Sequence, residues 1–226
     1  MPSDPAALKL DPATWKRQKV FEFFSSMDWP FCSVTFQVDV TEVSAFAHDR
    51  GISFYYSMVY LCTRAVMQVE NLMLDIRKDG VYRLSRRIPS FTDMHPGEDQ
   101  FHIVTMDMAD DGSSDLKASV VQFAQAAREK SRAQQEFIDL SQEGSHLIFF
   151  SCLPWLSLTA LTNERNTDPD DSVPRIAWGR WTESGGRKIL GLSMEVNHRL
   201  VDGVHIARFA QALEEEIRAL GLSKAG

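Results

Sequence analysis

The segment His198-Arg199-Leu200-Val201-Asp202-Gly203 joins two stretches of different periodicity. Before it, Leu190, Leu192, Met194 and Val196 alternate with Ile189, Gly191, Ser193 and Glu195, the period of a strand with one apolar face. After it, Ile206, Phe209, Leu213, Ile217 and Leu220 recur at helical spacing. His198 therefore stands where a strand over Lys188–Asn197 turns into a helix running to about Leu220. Asp202 is placed to cap that helix with its carboxylate. Gly203 is read as a residue whose missing side chain the turn needs. A histidine held at such a turn is a candidate general base, because imidazoles as a class titrate near working pH. The same position also suits a plainly structural histidine, and spacing alone does not choose between the two.

The chain of 226 residues is 44% hydrophobic and 24% charged, which suits one domain over 1–226 with a sizeable core. A net charge of −7 argues against nucleic acid or an anionic membrane as the main partner. No apolar run is long enough to cross a bilayer. Met1–Pro12 lacks the apolar segment of a signal peptide, so a cytoplasmic protein is expected. Cys32, Cys62 and Cys152 form no CxxC pair and read as buried free thiols of a reducing compartment, not as a zinc site.

Residues 1–12 read as an extended lead-in with Pro2, Pro5 and Pro12, and Thr14–Lys19 begins a short helix. Core packing is expected for at least two of Phe21, Phe23 and Phe24. Val34, Phe36, Val38 and Val40 mark a strand. Thr41 caps a helix through His48 that Gly51 breaks, and a long helix follows from Ser53 to about Asn71. Asp79-Gly80 signals a hairpin between Leu72–Lys78 and Val81–Ser85. Ile88 to Gly97, with Pro89 and Pro96, reads as loop. Phe101–Asp107 is a strand, Asp110-Asp111-Gly112 a turn, and Leu116 to about Gln135 an amphipathic helix. His146–Cys152 is a strand ended by Leu153-Pro154-Trp155. Asn163 to Pro174 reads as a surface loop, and Gly185-Gly186 joins strands Ile176–Trp181 and Lys188–Asn197. This mixture predicts an α/β sandwich of two layers with a mixed sheet.

Several motifs in order resemble the chloramphenicol acetyltransferase family over nearly the whole chain. They are Trp15-Lys16-Arg17 with Phe21-Glu22-Phe23-Phe24, Val38-Asp39-Val40-Thr41, Phe54-Tyr55, Met58-Val59-Tyr60-Leu61, and Phe91-Thr92 with His95. Ser151-Cys152-Leu153-Pro154-Trp155 and Asn197-His198-Arg199-Leu200-Val201-Asp202-Gly203 complete the set. The resemblance implies the CoA-dependent acyltransferase fold, acetyl-CoA as co-substrate, no metal, and a small-molecule hydroxyl acceptor. It also implies a homotrimer with active sites at subunit interfaces and, where the acceptor is chloramphenicol, antibiotic resistance. His198 matches the general base, and Ser151 the hydroxyl that donates to the oxyanion. Asp202 and Arg17 match a pair that holds the histidine loop, with Gly203 supporting it. Phe24, Trp29, Phe101 and Ala177 are the candidate acceptor-binding residues.

The chain departs from the family pattern at several places. Asn197 stands where a first of two adjacent histidines is common, and Ala177 where a threonine is usual. Trp178 is expected to bring bulk near the site, and Asp28, Trp29 and Phe31 differ from the drug-binding pattern. An acyltransferase with another acceptor or a longer acyl group therefore stays open. So does a catalytically weak trimeric small-molecule-binding homologue.

Overall fold

A computed structural model describes residues 6–108 and 115–221. The Asp110-Asp111-Gly112 turn and the start of the lead-in, with Pro2 and Pro5, lie outside the described residues. In chain order the elements begin with β1 (Leu8–Lys9), α1 (Gln18–Ser25), β2 (Phe31–Asp39), α2 (Thr41–Arg50) and α3 (Phe54–Met67). They continue with β3 (Leu74–Arg77), β4 (Gly80–Arg83), β5 (Ile88–Met94), β6 (Phe101–Thr105) and α4 (Leu116–Ala133). The last are β7 (Leu147–Leu153), β8 (Arg175–Gly179), β9 (Thr182–Ser184), β10 (Arg187–Asn197) and α5 (Gly203–Gly221).

The main sheet is mixed, in the order β2-β10-β8-β7-β5-β6, with β9 added to β10. β5–β7 and β7–β8 are parallel, and the other pairs of this sheet are antiparallel. Register builds an apolar row across five strands from Met194, Ile176, Phe150, Phe91 and Val104. Each of these side chains is at most 2% exposed. They share one hydrophobic core with Val59, Leu61, Phe123, Phe209 and Leu213, so α3, α4 and α5 form the second layer. A fully buried side chain of this size contributes roughly 1.5–3 kcal/mol through loss of hydrated apolar surface.

The opposite face of the sheet carries small residues in register, three of them hydroxylic: Thr35, Ser193, Ala177 and Ser151. Its β10 end is covered by the chain between β7 and β8. A Cβ added to Gly191 would lie 2.1 Å from the Leu158 carbonyl oxygen, and one on Gly179 2.3 Å from that of Leu156. Further along β10, the Ser193 hydroxyl donates to the Leu161 carbonyl at 3.1 Å. Glu195 accepts from the Asn163 N–H at 3.0 Å and from Arg165 Nε at 2.8 Å. The Asn197 amide donates to the carbonyls of Pro169 and Asp171 at 2.8 and 3.0 Å. The polar positions of β10 thus bind a strap instead of water.

Several expectations need correction. Ile88–Met94 is strand, not loop, because Pro89 lies at the second residue of β5, where Ile88 still donates to the His146 carbonyl at 3.0 Å. Residues 163–174 are not a free surface loop: Ser172, Val173 and Pro174 are buried, and Arg165 is clamped between Asp171 and Glu195. Thr41 is not the cap of α2. Its N–H and hydroxyl both donate to Asp39 Oδ1, at 3.0 and 2.6 Å. The hairpin loop is Lys78-Asp79, one residue earlier than expected, since Arg77 faces Gly80, whose φ is 144°. None of the three α1 phenylalanines is buried: Phe21 and Phe24 are half-buried and Phe23 is 64% exposed. Among the cysteines only Cys62 is fully buried.

Candidate active site

The turn between β10 and α5 is held from outside by Arg17. Its guanidinium is 9% exposed and grips both carboxylate oxygens of Asp202, through Nη1 to Oδ2 and through Nη2 to Oδ1 at 2.7 Å. Two further donations go to backbone oxygens, Nε to Arg199 and Nη2 to His198, each at 2.8 Å. The fork geometry of arginine lets one side chain serve all these acceptors. The Arg17 bonds, ahead of all other influences, hold the Asp202 carboxyl below the usual carboxylate range.

The Asp202 carboxylate is therefore committed to Arg17 and, among the described residues, caps no backbone N–H. Its carbonyl starts α5, accepting from the N–H groups of His205 and Ile206 at 2.9 and 3.2 Å. Gly203 also has another role than expected. Its φ is not positive, and a Cβ there would meet nothing within 4 Å. The turn does not require a glycine at that position.

His198 has a defined tautomer. Its Nδ1 lies 3.0 Å from the Val201 carbonyl oxygen and 3.2 Å from Asp202 Oδ1. Both neighbours only accept, so Nδ1 carries the hydrogen and the neutral ring keeps its lone pair on Nε2. The ring stacks on Phe24, with centroids 4.1 Å apart and planes inclined by 19°. The His198 side chain is about one-third exposed. These contacts orient a proton acceptor.

Ser151 lies elsewhere in the same chain. It lines a cavity of about 1270 Å³ together with Tyr55, Thr92, Phe101, Phe137 and Arg180. Thr92 Oγ1 donates to Ser151 Oγ at 3.4 Å, which leaves the serine hydrogen available to another acceptor. Tyr55 in turn donates to the Thr92 carbonyl at 2.7 Å. Burial pushes the thiol of Cys152, which also lines the cavity, up to about 12. That thiol stays protonated at neutral pH, so it is not a thiolate nucleophile.

Of the sequence-predicted acceptor residues, Phe101 lines the cavity and Phe24 sits on His198. Trp29 is half-exposed and packs edge-on against Phe31, with centroids 5.0 Å apart. Ala177 is wholly buried in register with Ser151, at the margin of the strap. Neither Trp29 nor Ala177 lines the cavity. Trp178 brings no bulk to it either, because its side chain is on the helix-covered face, fully buried against Tyr55 and Phe150. A single chain thus gathers two separate groups, His198 with Phe24 and Ser151 with Phe101.

Three supporting residues were not identified as such from the sequence. Thr92, quoted only within a motif, reaches Ser151 across neighbouring strands. Asn197, read as a lost histidine, ties its own turn to the strap and accepts the Arg199 N–H at 3.0 Å. Asn71 donates to the Leu200 carbonyl at 2.7 Å. The polar alternation of Gly191, Ser193, Glu195 and Asn197 was the available signal for the last stretch of the strap.

Comparisons with known proteins show the family and the fold. A family model described as chloramphenicol acetyltransferase matches residues 7–214. The chain is similar to chloramphenicol acetyltransferase 3 of Escherichia coli, 27% identical over 207 residues, covering 92% of this chain and 95% of that protein. A solved chloramphenicol acetyltransferase superposes with a TM-score of 0.82 at 22% identity, covering 93% of this chain and 99% of that one. The cubic core of the pyruvate dehydrogenase multienzyme complex shares the fold at a TM-score of 0.63 and 18% identity, covering 90% and 88%.

Proposed function

This chain belongs to the chloramphenicol acetyltransferase family, and from that membership we propose that it is an acetyl-CoA-dependent O-acetyltransferase acting on a hydroxyl of a small molecule. A chloramphenicol-type acceptor is the first candidate. The observation that carries the reading is the His198 tautomer, with Nδ1–H fixed by two acceptors and the Nε2 lone pair left free. In the proposed reaction Nε2 takes the proton of the acceptor hydroxyl while that oxygen attacks the thioester carbonyl. A positioned base of this kind supplies ~10²–10⁴-fold in rate. Ser151 donates its hydroxyl hydrogen to the carbonyl oxygen as it becomes negative. Collapse breaks the carbon–sulfur bond, and the imidazolium returns its proton to the leaving sulfur. Arg17 and Asp202 position the turn without touching the reacting atoms.

We assign the site to an interface within a homotrimer. Its support is the separation of His198 and Phe24 from the cavity lined by Ser151 and Phe101. A neighbouring copy would bring one group to the other. The match across 7–214 supports a single domain, and we place the protein in the cytoplasm. No helix among the described residues is long and apolar enough to cross a membrane.

Thiol release from acetyl-CoA, measured with chloramphenicol and a panel of other alcohols, tests the reading. Turnover with chloramphenicol supports the first candidate, and turnover only with another alcohol or a longer acyl-CoA redirects the specificity. Ligand binding without turnover would replace the enzyme by a binding homologue. Light scattering tests the trimer, and a clean monomer at micromolar concentration would end the interface reading.

A further inference from the structure

At the edge of the cavity, the β5–β6 turn brings together three residues that acyl transfer does not employ. They are His95, Glu98 and His102, whose donor atoms all lie within 4.8 Å of one another. His102 is near the start of β6, paired with Asp93 of β5. His95 and Glu98 lie in the connection and line the cavity. The rings of His95 and His102 have centroids 3.8 Å apart.

Two features of the histidines point to a bound cation. His102 is only 8% exposed, and its Nε2 is buried without a hydrogen-bond partner. Polar atoms buried this deeply are normally satisfied. His95 Nε2 is 2.9 Å from the Ser131 carbonyl oxygen, which can only accept. That nitrogen therefore carries the hydrogen in the neutral ring, and the lone pair is left on Nδ1. Nδ1 is 3.7 Å from Glu98 Oε2, too far for a hydrogen bond. Metal-bound histidines characteristically donate their other N–H to a carbonyl or carboxylate, as His95 does here.

We propose that His95, Glu98 and His102 bind a divalent first-row transition cation, with Zn²⁺ the best match to two imidazoles and one carboxylate. Magnesium and calcium favour all-oxygen sites. Three protein ligands leave a fourth tetrahedral position for water. Bonds of about 2.0–2.1 Å place tetrahedral donors about 3.3 Å apart, so the group, spread over at most 4.8 Å, must draw together on binding. Glu98, with its side chain 52% exposed in the turn, has the freedom to do so. A bound ion would tie the turn to β6 beside Phe101. The cation site rests on these residues alone and is independent of the proposed acetyltransferase activity.

The full-length chain, stripped with chelator, should be titrated with Zn²⁺ by equilibrium dialysis and with Co²⁺ by visible absorption. One saturable equivalent per chain is expected, with the intense visible bands of four-coordinate Co²⁺. Glu98→Gln should weaken Zn²⁺ binding by ~10-fold or more, and His95→Ala by at least as much. Both changes lie in the turn, so each protein's melting curve can verify that it remains folded. His102→Ala should abolish the saturable equivalent. Undiminished affinity in folded Glu98→Gln and His95→Ala proteins would show adventitious surface binding only and overturn the proposal. So would the absence of any saturable equivalent in the unaltered chain.

Discussion

His205 Nδ1 accepts the backbone N–H of Asp202 at 2.9 Å. The side chain reaches back from the first turn of α5 to the residue that starts it, as the acidic member of a capping box does. This bond needs an unprotonated Nδ1. Burial first, and then the Arg17 guanidinium, hold the His205 imidazole below the usual histidine range.

The pH dependence follows from that direction. Well above the ordinary histidine value of about 6.5, neither folded nor unfolded chain protonates this ring, and the capping contribution is complete. As pH falls through that value, the unfolded chain takes up a proton that the folded chain resists. The lost stability levels off only below the depressed folded value. Urea midpoints should therefore drop between about pH 7.5 and about pH 5.5. The drop should shrink in His205→Gln. Parallel pH profiles for the two proteins would exclude His205 as its source.

Arg17→Ala should destabilise the chain by about 2–3 kcal/mol. This is less than the loss for a fully buried pair, because the Asp202 side chain is 36% exposed and partly screened. Turnover should fall with it, since the His198 and Arg199 carbonyls lose their donors. Arg17→Lys should not rescue either property, because one ammonium cannot span the carboxylate and both carbonyls. The acid limb also has a fixed sign. With its folded carboxyl depressed, Asp202 contributes stability above the ordinary carboxylate range and loses it as pH falls toward the folded value. Asp202→Asn should flatten that limb in thermal melts.

Gly191→Ala tests the strap. Glycine is required there by proximity, because its φ is not positive while the Leu158 carbonyl oxygen fills the space of a Cβ. That oxygen belongs to backbone, so relief means displacing the strap along β10. We expect a lower melting temperature and increased proteolysis between Leu156 and Arg165. A Gly203→Ala protein, with open space at the added methyl, should melt at or above the temperature of the unaltered chain. The idea fails if the two substitutions have the same effect.

The ease of reading the sequence varied with what each segment packs against. β10 and α5 were legible because a single apolar face against the core produces a clean period. The row from Met194 to Val104 required knowing which strands are neighbours, and that order is set by crossovers with no local signature. Pro89 suggested loop because a proline breaks most ladders, yet it occupies a strand start where its missing N–H is tolerated. The strap looked like solvated loop because its polar residues find partners on β10, a tertiary fact. The Arg17–Asp202 pair was foreseen through resemblance. The His205 cap and the Thr92–Ser151 contact were not, since each depends on side-chain direction.

Ser151→Ala should lower kcat by ~10²–10³-fold with little change in KM. The hydroxyl is proposed to act on an oxygen that becomes negative only during reaction, so ground-state binding should hardly depend on it. Thr92→Val removes the neighbour that orients Ser151 at 3.4 Å, and its loss should be smaller. Steady-state kinetics with acetyl-CoA and a working acceptor separate the two. A Ser151→Ala effect confined to KM would move this residue from the oxyanion to substrate binding.

His198→Ala should abolish most turnover while leaving the fold and CoA binding nearly intact. The side chain makes its Nδ1 contacts and the Phe24 stack at a one-third-exposed position, so its removal leaves no deep cavity in the core. The turn keeps its main restraints, because Arg17 grips the backbone oxygens of His198 and Arg199, neither of which the substitution removes. What disappears is the Nε2 lone pair. The proposed base works only as the proton moves, so its loss should appear in kcat far more than in the dissociation constant of CoA. His205 supplies the opposite pattern. Its Nδ1 is engaged by the backbone of Asp202 and it lies 9% exposed, so His205→Gln should melt earlier yet turn over near-normally when folded. Kinetics and melting curves on both variants give two independent readings. Comparable turnover losses in the two, or near-normal turnover in His198→Ala, would remove His198 from the role of base.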